Sequence, residues 1–332
     1  MQLAFVTGGS GFLGGRLIEM LVAQGVAVAA LARSDSAHAS VSAKGARPVA
    51  GDLSDPDTWR AALEGVDVVF HAAAHLHFWG DWNDFVTVHV EATMALIAAA
   101  RAAGVKRVVL VSAASVVMRD AVTMFDIDET APLTDRRYLP YSATKAMAEA
   151  AALAQSSDAM AIMAVRPPLI WGSGDTFDGA LGTRIRAGQF AYFSGGHYRH
   201  TTCHVDNACH GALLAAQQGR GGEAYFIADT EVTELREFLD QRILAGGLTP
   251  PTRSVPTGLA WALAHGLETV WRLGRLRGEP PITREVMRLM GIGFTISLAK
   301  AKAELGYAPL VTRAQGMAAL KARIAAAQGE PS

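Results

Sequence analysis

Residues 1–15 constrain the fold of this chain more than any other stretch. Leu3-Ala4-Phe5-Val6 is a short apolar run of strand type, and it breaks at Thr7-Gly8-Gly9-Ser10-Gly11-Phe12-Leu13-Gly14. Beyond the break, Leu13, Leu17, Met20 and Leu21 recur at helical spacing. Strand, glycine-rich turn and helix in that order make a phosphate site. The glycines let the backbone turn tightly and come close to a pyrophosphate, while the helix's unpaired N–H groups and its dipole face the negative charge. A glycine motif alone is weak, because glycine also serves ordinary tight turns. Here the strand before it and the helix after it supply the context the motif requires. The stretch predicts a dinucleotide-binding fold with Thr7, Gly8, Gly9, Ser10, Gly11, Phe12, Leu13 and Gly14 around the cofactor.

Further strands follow at the spacing of an α/β chain. Val26 to Leu31 reads as a second buried strand ending in Ala32-Arg33-Ser34, where the adenosine ribose is expected. A cofactor without the extra phosphate usually wants a carboxylate at that point, and none is present. Arg33 with Ser34 suits a 2′-phosphate, since a charge-assisted contact is worth about 1.5–3 kcal/mol. NADP(H) is therefore the expected cofactor, with NAD(H) as the alternative; the competing view of Arg33 is an ordinary solvated arginine. Arg47 to Ala50 forms another strand, closed by Gly51-Asp52-Leu53. Asp52 either accepts from the adenine amino group or caps a helix beginning near Pro56. Asp67 to His71 is the fourth strand, and the small residues Ala72, Ala73 and Ala74 after it permit close backbone approach to a ligand. A helix over 84–103 and a strand over 108–111 continue the alternation, which predicts a doubly wound parallel sheet with helices on both faces.

Composition excludes several classes. A net charge of −1 gives no basic field, so nucleic acid is not the main partner. Two cysteines are too few for a disulfide scaffold and suit a reducing compartment. Met1 runs directly into a strand, leaving no room for a leader, and no uncharged apolar stretch reaches membrane-spanning length, about 18 residues. The expectation is a cytoplasmic enzyme. At 332 residues, half of them apolar, the chain is long enough for two lobes. The expected division is a dinucleotide-binding domain over 1–166 and a substrate lobe over 167–332, with some elements of the second returning to the first.

Tyr141-Ser142-Ala143-Thr144-Lys145 follows Pro140. Four residues is one helical turn, so the phenol and the ammonium leave the same face. An unperturbed tyrosine is only about 0.1% ionised at pH 7, a deficit of about 4 kcal/mol. A neighbouring Lys⁺ and a positively charged nicotinamide both favour phenolate. Tyr141 can then take a proton from an alcohol as hydride leaves, or give one to a ketone as hydride arrives.

With these motifs the chain resembles the extended short-chain dehydrogenases/reductases. Thr7 to Gly14, Gly51-Asp52-Leu53, Tyr141 with Lys145, and Arg166-Pro167-Pro168 carry the likeness, which covers almost the whole sequence. The second half is similar to the 3β-hydroxysteroid and sterol-4-carboxylate dehydrogenase branch through Gly222 to Ala228, Pro280 to Arg284 and Glu304 to Tyr307. Trp171-Gly172 with Gly174-Asp175 is similar to bacterial reductases of 2-alkyl-3-ketoalkanoates. The resemblance implies an oxidoreductase acting on a secondary alcohol or ketone of a bulky apolar molecule, steroid-like or a β-keto lipid. It implies Tyr141 and Lys145 as the catalytic pair, and a loop through Pro167 beside the nicotinamide.

Two departures stand out. The family usually offers a serine or threonine hydroxyl just past the fifth strand; here Ser112-Ala113-Ala114-Ser115 has alanine at the two matching positions. Ser112 is preferred as the replacement, with Ser115 the alternative if the strand has already ended. Asn-Val-x-Gly-Thr is usual in the preceding helix, where the chain has His89-Val90-Glu91-Ala92-Thr93, so the lysine's proton relay either passes through His89 or is absent. Nucleotide-sugar epimerisation or dehydration, and a non-catalytic NADP-binding regulator, are the competing functions.

In the second half, strand 161–165 leads into a smaller lobe with helices expected over 176–187, 206–218 and 232–244. His197, His200, Cys203, His204, Asp206, Cys209 and His210 invite a metal reading, but Cys203 and Cys209 are six residues apart and zinc pairs favour closer spacing. No metal is expected, and Asp206 is expected to cap the helix it begins. Between Pro256 and Gly278, Leu259, Trp261, Ala262, Leu263, Leu267, Val270 and Trp271 form a broad apolar stripe before Arg272, Arg275 and Arg277. That pattern fits core packing, a lid over an apolar pocket or peripheral contact with a bilayer surface. Homodimerisation is left open.

Overall fold

The computed structural model describes residues 1–119 and 122–328. Seven parallel strands make the central sheet: β1 (Leu3–Thr7), β2 (Ala27–Ala32), β3 (Arg47–Ala50), β4 (Val68–His71), β5 (Arg107–Val111), β6 (Ala161–Arg166) and β7 (Ala224–Phe226), in the order β7-β6-β5-β4-β1-β2-β3. Because both faces are covered, these strands are near-continuous apolar runs. Side chains alternate between the layers. Ala4 and Val6 enter one with Leu17, Ile18 and Leu21, and Phe5 enters the other with Trp59 and Leu96. Strand order reverses beside β1, and Thr7 registers against His71 there. The crevice at these carboxyl ends is where a doubly wound sheet binds its ligand.

A second sheet runs Val232–Glu234, Arg199–His204, Phe294–Ile296, Met124–Ile127, with Leu169–Trp171 beside the end of Arg199–His204. The chain crosses between the sheets five times. Met124–Ile127 leaves from between β5 and β6 to pair with Phe294–Ile296, and β7 returns from the second half to close the main sheet.

Several element boundaries differ from the sequence expectation, each for a local reason. The helix expected over 84–103 starts at Trp82 and contains a π turn, Thr87–Glu91, between Trp82–Val86 and Ala92–Ala102. This run, Trp82–Ala102, is long and apolar enough by length and composition to cross a membrane. In the fold it buries Phe85, His89, Thr93, Leu96 and Ile97. The helix expected from 176 starts at Ala180, because Asp175 folds the preceding loop, accepting from the N–H groups of Gly172 and Phe177 at 3.0 and 2.9 Å. Val232–Glu234 is a strand paired with Arg199–Thr201, and its helix begins at Leu235. The helix expected near Pro56 is two short 3-10 turns, Pro56–Thr58 and Arg60–Leu63. Helix Val205–Gln218 is capped by His204, whose Nδ1 accepts from the Asp206 N–H at 3.2 Å. Asp206 is therefore not the cap; its carboxylate pairs with Arg16 at 2.7 Å.

Candidate active site

The opening turn has the shape a pyrophosphate needs. Gly8 has φ +72°, and a Cβ there would lie 2.6 Å from the Ala73 nitrogen. At Gly14 a Cβ would lie 2.2 Å from the Gly8 carbonyl oxygen. Helix Phe12–Ala23 has Gly11 at its N-cap and no side chain on its first N–H groups, which leaves those donors to a ligand. Gly9 is buried under Ile18, Ser10 is exposed, and Phe12 and Leu13 are half-buried against the core. Thr7 is fully buried and its hydroxyl is used internally, bonded to His71 Nδ1 at 2.7 Å and accepting from the Ala73 N–H at 3.3 Å. It fastens β1 to β4, and Ala72, Ala73 and Ala74 leave that junction half-buried. The residues present thus fit a dinucleotide: a cradle too tight for side chains, beneath an uncapped helix.

At the adenosine end, Arg33 is 79% exposed with Asp52 4.0 Å away. Ser34 caps helix Asp35–Ala43, accepting from the Ala37 N–H at 3.2 Å. Asp52 does not cap the following turn, whose N-cap is Asp55. Its carboxylate accepts instead from the Ser54 hydroxyl and N–H at 2.6 and 2.9 Å, which holds its pKa below the ordinary carboxylate value. Leu53 packs on the Trp59 side of the sheet, and the Trp59 indole donates to the Asp52 carbonyl at 2.9 Å.

Tyr141 and Lys145 share helix Pro140–Leu153, which starts with proline at its first position, where a missing N–H costs nothing. Lys145 is buried and donates to the Val111 carbonyl at 2.7 Å, tying the helix to the end of β5. Burial lowers its pKa to about 8. The Tyr141 ring sits between edges of Phe78 and His89, with centroids 5.6 and 5.5 Å away. Burial, then the charge of Glu285, push its phenol well above the usual tyrosine value. Just past β5, the hydroxyls of Ser112 and Ser115 are both buried without a hydrogen-bond partner. The strand ends at Val111, so Ser112 already lies beyond it and Ser115 falls in the 3-10 turn Ala114–Val117. Pro167 is buried, and its carbonyl accepts from the Ala114 N–H at 2.9 Å, pinning this segment to the end of β6.

His89 is engaged on both ring nitrogens. Its Nε2 accepts from the His75 N–H at 3.0 Å, so Nδ1 carries the proton and donates to Thr144 Oγ1 at 2.8 Å. Thr144 in turn donates to the Pro140 carbonyl at 2.6 Å. Burial, then Lys145, lower the His89 pKa to about 2, so the ring stays neutral. It braces helix Pro140–Leu153 against segment 75–80, and neither ring nitrogen is turned to Lys145. Its carbonyl accepts from the Thr93 hydroxyl at 2.5 Å, inside the π turn, a distortion often found at functional sites.

The histidine and cysteine cluster separates. His197 pairs with Glu234 at 3.0 Å, His200 bonds the carbonyls of Thr201 and Leu289, His204 caps its helix, and Cys203 and Cys209 are buried. Among the described residues, no group of three or more His, Cys, Asp or Glu side chains is placed to hold a metal ion.

Helix Thr257–Gly274 corrects the expectation of core packing for its stripe. Its buried ridge is Ala260, Ala264 and Glu268, while Leu259, Leu263, Val270 and Leu273 face outward, Leu273 at 83% exposure. Trp261 and Trp271 are half-buried on its flanks. The helix borders the site: Arg272 lies over the Trp79 ring at 5.1 Å, and Glu279 beyond it bonds His77 at 2.7 Å.

Comparison with known proteins agrees with this geometry. The family model described as the NAD dependent epimerase/dehydratase family matches residues 4–228. The 4-hydroxy-2-methyl-3-oxo-4-farnesyl-3,4-dihydroquinoline-1-oxide ketoreductase of Stigmatella aurantiaca is 40% identical, over 98% of this chain and 97% of its own. A 2-alkyl-3-oxoalkanoate reductase of Stenotrophomonas maltophilia (strain K279a) is 36% identical, over 97% and 99%. Among solved structures, a double mutant of dTDP-glucose 4,6-dehydratase from Streptomyces venezuelae with NAD bound has a TM-score of 0.75 at 25% identity, covering 98% of this chain and 97% of that one. With its glycine cradle, its Tyr-Lys helix and these relatives, the chain belongs to the NAD dependent epimerase/dehydratase family, the extended short-chain dehydrogenases/reductases.

Proposed function

We propose that this protein reduces a ketone to a secondary alcohol, or runs the reverse, on a bulky apolar substrate with NADP(H). One observation carries the reading: Lys145, one turn from Tyr141, reaches the end of β5, just beyond which two buried serine hydroxyls have no partner. Buried donors normally find acceptors, and a substrate oxygen supplies one. The nicotinamide, when bound, supplies or receives the hydride. Everything else belongs to the chain. Gly8 to Gly14 and the start of helix Phe12–Ala23 hold the pyrophosphate, Arg33 meets the 2′-phosphate, and the Ala72 to Ala74 and Pro167 segments wall the crevice. Ser112, with Ser115 as the alternative, donates to the substrate oxygen, Tyr141 passes the proton at that oxygen, and Lys145 lowers the cost of the phenolate.

Two features favour a ketoreductase over a nucleotide-sugar epimerase or dehydratase. The two relatives named as reductases align over nearly their whole lengths. The site is also bordered by Phe78 and Trp79, an apolar setting for a sugar nucleotide. The substrate class is a 2-alkyl-3-keto acid, a prenylated ring ketone or a 3-keto steroid. We place helix Thr257–Gly274 on an anionic bilayer surface, from which such substrates are taken. Purified protein should consume NADPH, followed by its absorbance, with members of that panel, and Tyr141→Phe should abolish the reaction. Undiminished turnover in Tyr141→Phe, or activity confined to nucleotide sugars, overturns the reading.

A further inference from the structure

Helix Pro140–Leu153 has no cap of its own. Leu139 before it offers no side-chain acceptor, and Pro140 has no N–H. Tyr141 and Ser142 therefore hold the first free donors of the helix. Both face one carboxylate from the other half of the chain. Glu285, in helix Arg284–Met290, accepts from the Ser142 N–H at 3.2 Å and from the Ser142 hydroxyl, and the Tyr141 N–H lies against the same group. Glu285 is 0% exposed. A carboxylate is a rare occupant of such a place unless something there uses it.

Arg284, the neighbour of Glu285, is taken by Glu268 of helix Thr257–Gly274, through its guanidinium at 2.7 Å and its N–H at 2.6 Å, and lies over the Tyr138 ring. Arg288, one turn on, donates through Nε to the Arg119 carbonyl. On the helix it caps, the groups against Glu285 are Tyr141 and Ser142. Glu268 adds a second negative charge near Glu285.

We propose that Glu285 is the positioning residue of helix Pro140–Leu153: a cap supplied from the second half of the chain that fixes the first turn under Tyr141, with its negative charge beside that residue. The inference rests on the role given to Tyr141 above, and the charge of Glu285 opposes ionisation of the phenol. Glu285 acts through Tyr141 and does not touch the reacting atoms. Burial brings its own carboxyl up to about 7, so its charge is present throughout the alkaline range in which a phenol ionises.

Glu285→Gln keeps an oxygen for the Ser142 N–H and removes the charge; Glu285→Ala removes both. Ultraviolet difference titration of the full chain, with the Tyr141→Phe signal subtracted in each background, reads the phenol without any turnover. It should ionise about one pH unit lower in Glu285→Gln than in wild type. In NADPH-dependent ketone reduction, Glu285→Ala should lose about tenfold in kcat with little change in KM, and Glu285→Gln should recover most of that loss. An unmoved phenol in Glu285→Gln overturns the electrostatic role, and wild-type kcat in Glu285→Ala overturns the cap. If wild type reduces no ketone, the functional reading fails while the titration still decides Glu285.

Discussion

Lys145 sets the pH behaviour of the proposed chemistry. Its ammonium must be present to stabilise the phenolate that Tyr141 becomes on giving up its proton. Burial lowers the Lys145 pKa to about 8, so the charged form dominates at pH 7 and is lost as the pH rises through that value. The kcat for ketone reduction should therefore be flat near neutrality and fall above pH 8, and Lys145→Met should remove the titration along with most of the rate. A profile still flat at pH 10 would separate Lys145 from the reaction. Arg33 makes a second prediction at this scale. It is exposed and its nearest carboxylate is 4.0 Å away, so its charge is available to a 2′-phosphate. Arg33→Asp should weaken NADPH by roughly 10–150-fold relative to NADH, measured as the ratio of their KM values; an unchanged ratio would return Arg33 to ordinary surface. Tyr141 and Lys145 were legible because their spacing is local. Glu285 was not, because it reaches its partner across the fold and no periodicity marks it. His89 could be singled out, but its neutral bracing role depends on the His75 N–H and Thr144 meeting its two nitrogens.

Elements held by patterning were readable and those held by single polar contacts were not. The seven sheet strands are apolar runs whose burial on both faces leaves a plain signature. The loop before Ala180 and the start of helix Leu235–Ala245 were misread because they answer to Asp175 and to a strand partner. The same logic applies to helix Pro140–Leu153, which a buried ion pair ties to β6. Arg166, the last residue of β6, places its guanidinium on Glu149 of helix Pro140–Leu153 at 2.5 Å, with both side chains at least 95% buried. Removing one partner of such a pair strands the other charge, at a cost of about 3–5 kcal/mol. Arg166→Met should accordingly lower stability by that amount in urea unfolding. The double variant Arg166→Met with Glu149→Leu should recover much of it, because the stranded carboxylate is gone. Equal stability of Arg166→Met and wild type would show that the pair contributes nothing.

Across the whole molecule, one surface is out of keeping with the rest. Leu259, Leu263, Val270, Leu273 and Leu276 are all exposed, on or just beyond helix Thr257–Gly274, and Leu76 at 71% exposure belongs to the segment that Trp79 and His77 join to it. Scattered exposed leucines need no account, but a row along one helix face does. Charge chooses between a second copy of the chain and a bilayer. Arg272, Arg275 and Arg277 flank the row, and none of them forms an ion pair among the described residues. Two copies meeting face to face would bring these cations together, whereas anionic headgroups would neutralise them at about 1 kcal/mol each. Each inserted leucine would add about 1.5–3 kcal/mol. The protein should therefore float with vesicles of phosphatidylserine and phosphatidylcholine, bind them less well in high salt, and bind poorly to phosphatidylcholine alone. Leu263→Glu with Leu273→Glu should abolish flotation while leaving kcat on a water-soluble ketone unchanged, since neither residue lines the site. A wild-type protein that stays in solution, or one whose apolar row instead holds a dimer that the double variant splits in sedimentation, would mean that the helix meets protein and not lipid.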